Sequence, residues 1–71
     1  MGGVLAVLLE VLARTNVEEL TERFLDLYNS IVETLNPGDQ EVAKEALADR
    51  RADNDEGHAR LQAKLAAAQS T

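Results

Sequence analysis

The residues that could carry chemistry lie around His58, the one histidine of the chain. Asp55 stands three residues earlier, and on a helix this spacing places a carboxylate beside the imidazole, as in half of a metal site or a general base. No HExxH spacing supplies further ligands, which would have to come from other carboxylates or another subunit. We therefore interpret His58 as a surface or interface histidine, and we predict no metal and no cofactor.

Two aspartates of the same segment suggest a calcium site. Asp53 and Asp55 are alternate residues, as in the loop of an EF-hand. Counted from Asp53, however, Gly57 stands one position too early, and Lys64 occupies the place of the glutamate that must bind calcium with both oxygens. The segment is therefore typical of a solvated loop or helix surface.

The sequence gives little support for nucleophilic or acid–base catalysis. The chain has no cysteine, and Ser30 lies in a helical pattern without the Gly-x-Ser-x-Gly elbow of serine hydrolases. Carboxylate pairs such as Glu22 and Asp26 are frequent at helical spacing, but a substrate cleft needs walls that a chain of 71 residues hardly provides. We predict no catalytic residue and no enzymatic activity.

The charge balance argues against anionic partners. Thirteen acidic and seven basic residues give a net charge of −6, whereas DNA and anionic membranes attract basic surfaces. One Phe, one Tyr and no Trp also leave too few aromatic rings for stacking on nucleobases. We expect no direct binding to nucleic acid or membrane, and a preference for basic or apolar protein partners.

The elements that would position these side chains are helical, beginning with helix 1 at about residues 4–14. Residues 4–13 are apolar apart from Glu10, and a helix without a polar face is normally buried. The segment is about half as long as a bilayer span requires, and no Lys or Arg precedes it as in an export signal. We predict neither a transmembrane span nor a signal peptide, and favour a location in the cytoplasm or in an assembly.

Helix 2 is predicted over about residues 17–36. Thr15 and Asn16 each have a glutamate three residues later, which is the pattern of a capping box. The apolar positions then recur at steps of three and four and predict one continuous face, consisting of Leu20, Phe24, Leu27, Ile31 and Leu35. A second apolar row lies beside that face and widens it, namely Leu25, Tyr28 and Val32.

The second half of the chain is predicted as charged helices that follow a turn at residues 36–39. Pro37 and Gly38 end helix 2, and Asp39 can cap helix 3 from about residue 40 to residue 52. Residues 53–57 are weak helix formers and leave two alternatives. Either Asn54 or Asp55 caps a helix 4 over about residues 55–69, or one helix continues over residues 40–69. The heptad spacing of Leu47, Asn54, Leu61 and Ala68 supports the continuous helix.

The large apolar residues divide unevenly within this single all-α domain, predicted over residues 1–71. Apart from alanine, 17 of the 21 apolar residues lie in residues 1–36. A chain this short buries only ~60% of its unfolded surface, and without cysteine no disulfide can stabilise it. We predict a helical bundle in which helices 1 and 2 form a hairpin, completed by oligomerisation or a partner. The alternative is a monomeric bundle in which alanines allow close packing.

The excess apolar surface on helices 1 and 2 predicts a protein–protein interaction module. It would associate with itself or act as a small subunit of a larger assembly, such as a viral particle. The expected interface residues are Leu8, Leu12, Leu20, Phe24, Leu27 and Ile31. Two other hypotheses stay open. One is an acidic inhibitor that binds a basic protein surface, for example that of a nucleic-acid-binding protein, through Glu18, Glu22, Asp26 and Glu33; the other is a membrane-associating helix.

Overall fold

Four α-helices and one 3₁₀ turn make up residues 3–70, the part of the chain that the computed structural model describes. They are α1 (Gly3–Arg14), the 3₁₀ turn (Val17–Glu19), α2 (Glu22–Val32), α3 (Pro37–Ala52) and α4 (Asp55–Gln69). No strand occurs among these residues, so the all-α prediction is confirmed. The predicted domain also includes Met1, Gly2 and Thr71, which lie outside the described residues. None of the described helices is long and apolar enough to cross a membrane.

Helix α1 packs mainly against α3 and α4. One side of α1 is buried and contributes four leucines to the core, Leu5, Leu8, Leu9 and Leu12. The facing side of the core is made largely of small residues, Ala43 and Ala46 of α3, together with Leu61 of α4. The predicted hairpin of helices 1 and 2 is wrong, because the alanines let α3 approach α1 closely, and α2 has its main backbone contacts with α3 instead.

Helix α2 begins later and ends earlier than predicted. Thr15 is not available as a cap, because its hydroxyl donates to the Val11 carbonyl oxygen at 2.6 Å, and the Asn16 side chain makes no capping hydrogen bond. The hydroxyl oxygen of Thr21 instead accepts from the Phe24 N–H at 3.2 Å and starts the helix. It ends after 11 residues, about 16 Å, so the prediction of one helix over residues 17–36 is wrong.

The buried face of α2 consists of Tyr28 and Val32. The Tyr28 hydroxyl donates to the Ala43 carbonyl oxygen of α3 at 2.7 Å, and its ring stacks on Phe24 with the ring centroids 6.2 Å apart. Burial raises the pKa of the Tyr28 phenol well above its ordinary value. The buried row of α2 is therefore the second row, predicted to lie beside the main apolar face. A tyrosine ring can be buried there because the Ala43 carbonyl oxygen provides the partner that its hydroxyl needs.

Helix α3 starts at Pro37, three residues before the predicted start. The Asn36 side-chain oxygen accepts from the Asp39 N–H at 2.9 Å, and proline follows this cap at the first helical position, where it has no hydrogen bond to lose. Asp39 therefore lies inside the first turn and is not the cap.

A two-residue junction separates α3 from α4. Asp53 ends α3 in the left-handed conformation, with φ 48°, and the Asn54 side-chain oxygen accepts from the Gly57 N–H at 2.7 Å to start α4. The alternative with two separate helices is confirmed, and the continuous helix over residues 40–69 is wrong for this conformation of the chain. The left-handed conformation of Asp53 and the cap at Asn54 thus break the helix despite the heptad spacing.

Helices α3 and α4 are also joined by charge and by close approach. The buried Asp49 carboxylate accepts from Arg60 Nε at 2.9 Å and from Lys64 Nζ at 2.6 Å. Burial by itself raises the pKa of Asp49, but the hydrogen bonds and positive charges of Lys64 and Arg60 outweigh it and hold the pKa below its usual range. Gly57 is buried in the same contact, where the backbone of α3 leaves no space for a side chain.

Candidate functional site

Five large apolar side chains remain exposed on α1 and α2. They are Val4, Val7, Val11, Leu27 and Ile31, each with 41–60% of its surface accessible, and we call them the apolar surface. On α1 the three valines stand at steps of three and four residues, and on α2 Leu27 and Ile31 are one turn apart, so each helix presents one row. These are the large hydrophobic residues that the fold leaves open to solvent within residues 3–70.

The two rows meet at a groove between α1 and α2. It has a volume of about 390 Å³ and is lined by Gly3, Val4, Val7, Leu8 and Ile31. No charged side chain of residues 3–70 lines it, and its walls can bind apolar groups. The arrangement is therefore suited to apolar packing.

The presence of two rows on α1 explains why part of this helix is exposed. The buried row is all leucine, and the exposed row at positions 4, 7 and 11 is all valine. Because 3.6 residues make one turn, a helix that is apolar all round can bury one side and leave the other in water. Only α3 and α4 pack extensively on α1, and they cover the leucine side.

The charges nearest the apolar surface are not acidic overall. Arg14 and Arg23 each stand three or four residues from an apolar-surface residue, and both are exposed. Glu10 also borders the valine row, and its carboxylate accepts a hydrogen bond from Arg14 Nη2 at 2.7 Å. The three charged residues at helical spacing from the apolar surface therefore carry no acidic excess, although Asp26 stands next to Leu27 in the sequence.

The six interface residues predicted from the sequence lie in three different environments. Leu8 and Leu12 are buried in the chain's own core, Leu20 and Phe24 are partly buried against it, and Leu27 and Ile31 are exposed. The folded chain thus brings Ile31 to the groove beside Val4 and Val7, and withdraws Leu12 from any partner.

Sequence reasoning missed the valine row. Its signal was the separation of valine from leucine on α1, with Val4, Val7 and Val11 on one side and leucines at positions 5, 8, 9 and 12 on the other. Both residue types are apolar, so a periodicity that scores only hydrophobicity cannot tell which row faces the core.

The His58 segment forms a smaller polar recess at the α3–α4 junction. The recess has a volume of about 170 Å³ and is lined by Asp49, Arg50, Asp53, Asn54, Asp55, His58 and Leu61. Its buried carboxylate, Asp49, is already bonded to two bases, and His58 is exposed. Within residues 3–70 no three His, Asp or Glu side chains converge closely enough to hold a metal ion.

Comparisons of this chain with protein-family models, with curated proteins and with solved structures find no match.

Proposed function

We propose that this chain is a non-enzymatic helical interaction module that associates with a second copy of itself through the apolar surface. The observation that carries the proposal is the continuity of this surface across two helices, from the valine row of α1 through the groove to Ile31 and Leu27 of α2.

The size of the apolar surface is appropriate to the core of an interface. Five side chains that are about half exposed leave on the order of 400 Å² of apolar area, which lies in the range of patches that mark functional contacts. A standard interface buries ~800 Å² on each partner, of which the centre is apolar and the rim polar. The apolar surface would supply that centre, and its polar neighbours the rim.

Charge favours a second copy as the occupant. A chain of net charge −6 repels itself unless its acids are kept away from the contact. At helical spacing from the apolar surface, Arg14 and Arg23 are basic and Glu10 is paired with Arg14, so these three residues add no unpaired carboxylate to a contact between two such surfaces. The chain is also small, and association would add the buried area that its own core lacks.

Substitution of Val7 by Asp tests the proposal. Val7 is 59% exposed, so Val7→Asp should leave the helices folded, as measured by circular dichroism, while placing a charge in the contact. We expect the wild-type mass in sedimentation equilibrium to rise with concentration, and the variant to associate more weakly than the wild type at every concentration. Because a symmetric contact contains the residue twice, a loss of 1–2 kcal/mol at each position lowers the association constant at least tenfold.

Ala48→Asp is the matched control. Ala48 is exposed on α3, outside the apolar surface, and its substitution adds the same charge to a helical position. The control variant should associate as the wild type does. A wild-type mass that stays monomeric up to millimolar concentration would contradict self-association.

Salt dependence separates this proposal from the acidic-inhibitor hypothesis. Glu18, Glu22, Asp26 and Glu33 are all exposed, and a complex that they form with a basic protein would weaken steeply as salt is added. Apolar self-association should persist or strengthen in the same titration. If the chain forms a salt-sensitive complex with a basic protein, and Val7→Asp leaves this complex intact, the acidic-inhibitor hypothesis is favoured.

A further inference from the structure

The junction between α3 and α4 depends on the backbone of one residue. Asp53 has a positive φ of 48°, the one positive φ within residues 3–70, and lies in the left-handed region, which aspartate adopts more readily than most L-residues such as alanine. Asn54 follows in an extended conformation, and α4 begins at the next residue. Return of these two residues to right-handed helical angles would join α3 and α4 in line.

The main contacts that hold α4 in place are with α1 and α3, which precede the junction. Leu61 is fully buried in the core formed with α1 and α3, and Arg60 and Lys64 bond Asp49 of α3. Helix α4 has its main contacts with α1 and α3, and α2 contributes little to holding it. A second copy of α4 could therefore occupy the same place and form the same core contact and ion pairs.

The sequence of the joined helix is compatible with that arrangement. Leu47, Asn54, Leu61 and Ala68 recur every seven residues, so in a straight helix they form one row through the junction. In the structure described above, α4 folds back on α1 and α3 of its own chain, and we call this form the closed chain. Asn54 serves there as a cap instead. The same residues thus support a bent form within one chain and a straight form across two.

We propose that Asp53 is a hinge, and that its return to right-handed helical angles joins residues 37–69 into one helix and lets two copies exchange α4. This association does not use the apolar surface and is independent of the function proposed above. A tethered segment has an effective concentration near millimolar, so the closed chain dominates in dilute solution and exchange increases with concentration.

Two substitutions of Asp53 move the hinge in opposite directions. Alanine disfavours the left-handed conformation and favours a helix, so Asp53→Ala should raise the dimer association constant by roughly fivefold or more for each of the two hinges. Glycine adopts the left-handed conformation without penalty and weakens a helix interior, so Asp53→Gly should lower the dimer fraction below that of the wild type. If Asp53→Ala fails to fold, the decrease with glycine still tests the hinge.

A distance measurement distinguishes α4 exchange from contact through the apolar surface. The chain has no cysteine, so Glu41→Cys and Ala67→Cys, both at exposed positions, can carry spin labels. In a straight helix these positions are about 39 Å apart, whereas the longest dimension of the closed fold is 30 Å. Dimers that contain one labelled chain, with Val7→Asp added to remove the other contact, should show the longer distance.

Two results would overturn the hinge. One is an equal dimer fraction for Asp53→Ala and Asp53→Gly when both chains also carry Val7→Asp, which removes the contact through the apolar surface. The other is a dimer of Asp53→Ala that retains the short intramolecular distance. Neither result bears on the apolar surface, because that contact is tested by Val7→Asp with Asp53 unchanged.

Discussion

The close approach of α3 and α4 at Gly57 makes a substitution by alanine informative. A β-carbon built at Gly57 would lie 2.5 Å from the Asp49 carbonyl oxygen, 3.2 Å from the Asn54 side-chain oxygen and 3.3 Å from the Ala52 β-carbon. The nearest of these atoms belongs to the backbone, so a side-chain rotation cannot relieve the contact. The two helices would have to separate where Arg60 and Lys64 bond Asp49.

The expected magnitude follows from two opposing effects of Gly57→Ala. Alanine in place of glycine at compatible backbone angles adds about 0.4–1 kcal/mol, because it restricts the unfolded chain. An extra methyl in a packed contact removes about 1–3 kcal/mol, and a backbone neighbour places this site at the upper end of that range. We expect the free energy of unfolding to fall by about 2 kcal/mol, which corresponds to a decrease in Tm of roughly 8–16 °C for a domain of this size.

Gly38→Ala is the matched control for this prediction. Gly38 lies in the first turn of α3, has no positive φ, and its β-carbon would meet only the Asn36 side-chain oxygen at an ordinary 3.5 Å. Its substitution should stabilise the chain by a few tenths of a kcal/mol up to about 1 kcal/mol. Urea unfolding followed by circular dichroism, at one low protein concentration for all variants, measures both changes.

The packing at Gly57 is tested by whether the free energy of unfolding is lower for Gly57→Ala than for Gly38→Ala. If Gly57→Ala is as stable as Gly38→Ala, the α3–α4 contact is looser than the structure has it. A Gly57→Ala variant that loses stability while its Asp49 ion pairs stay intact would show that the backbone contact, and not the ion pairs, governs the spacing of the helices.

Two other substitutions test the buried polar contacts. Asp49→Asn leaves Arg60 and Lys64 without their carboxylate and should lower the free energy of unfolding by about 1–3 kcal/mol at neutral pH. Because the folded-state pKa of Asp49 is lowered, this difference should persist above about pH 4 and shrink as the carboxylate is protonated in acid; a constant difference down to pH 2 would contradict it. Tyr28→Phe removes the donor to the Ala43 carbonyl oxygen and should remove about 1–2 kcal/mol. The raised pKa of Tyr28 means that this stabilisation is present below pH ~10 and is lost as pH rises toward the folded-state value; phenolate absorbance of the folded chain near pH 10 would contradict the burial.

The sequence was sufficient to predict the fold class, but not the caps of α2 and α3. Asn54 before an acidic first turn is a strong local signal, and α4 begins there. From the sequence, Pro37 is interpreted as the end of helix 2, whereas it is the first residue of α3 and Asn36 is the cap. Between α1 and α2, Thr15 and Thr21 are both suitable caps by residue type. The choice between them depends on which threonine can use its hydroxyl elsewhere, and Thr15 uses its own at the end of α1.

The apolar faces were the part of the candidate surface that sequence could predict least. On α2 the rows through Leu27 and through Tyr28 both have helical spacing, and a hydrogen bond to α3 decides that Tyr28 faces inward. That bond depends on the backbone of Ala43, a residue whose sequence neighbourhood gives no indication of it. Leu27 and Ile31 are exposed and remain predicted interface residues, whereas Leu12 is buried in the chain's own core.

The second half of the chain covers only part of the apolar area that the first half presents. The small residues of the second half explain why. Alanine at positions 43 and 46 and glycine at position 57 let α3 and α4 pack closely, so Leu61 and few other large side chains suffice to cover the leucine row of α1. Close packing covers one side of a helix, however, and the described part of the chain has no fifth helix for the valine row. In the self-association proposed above, a second copy would bring its own apolar helix faces to this position, with its arginines beside them. The same small residues that let the helices pack closely thus leave the apolar surface exposed.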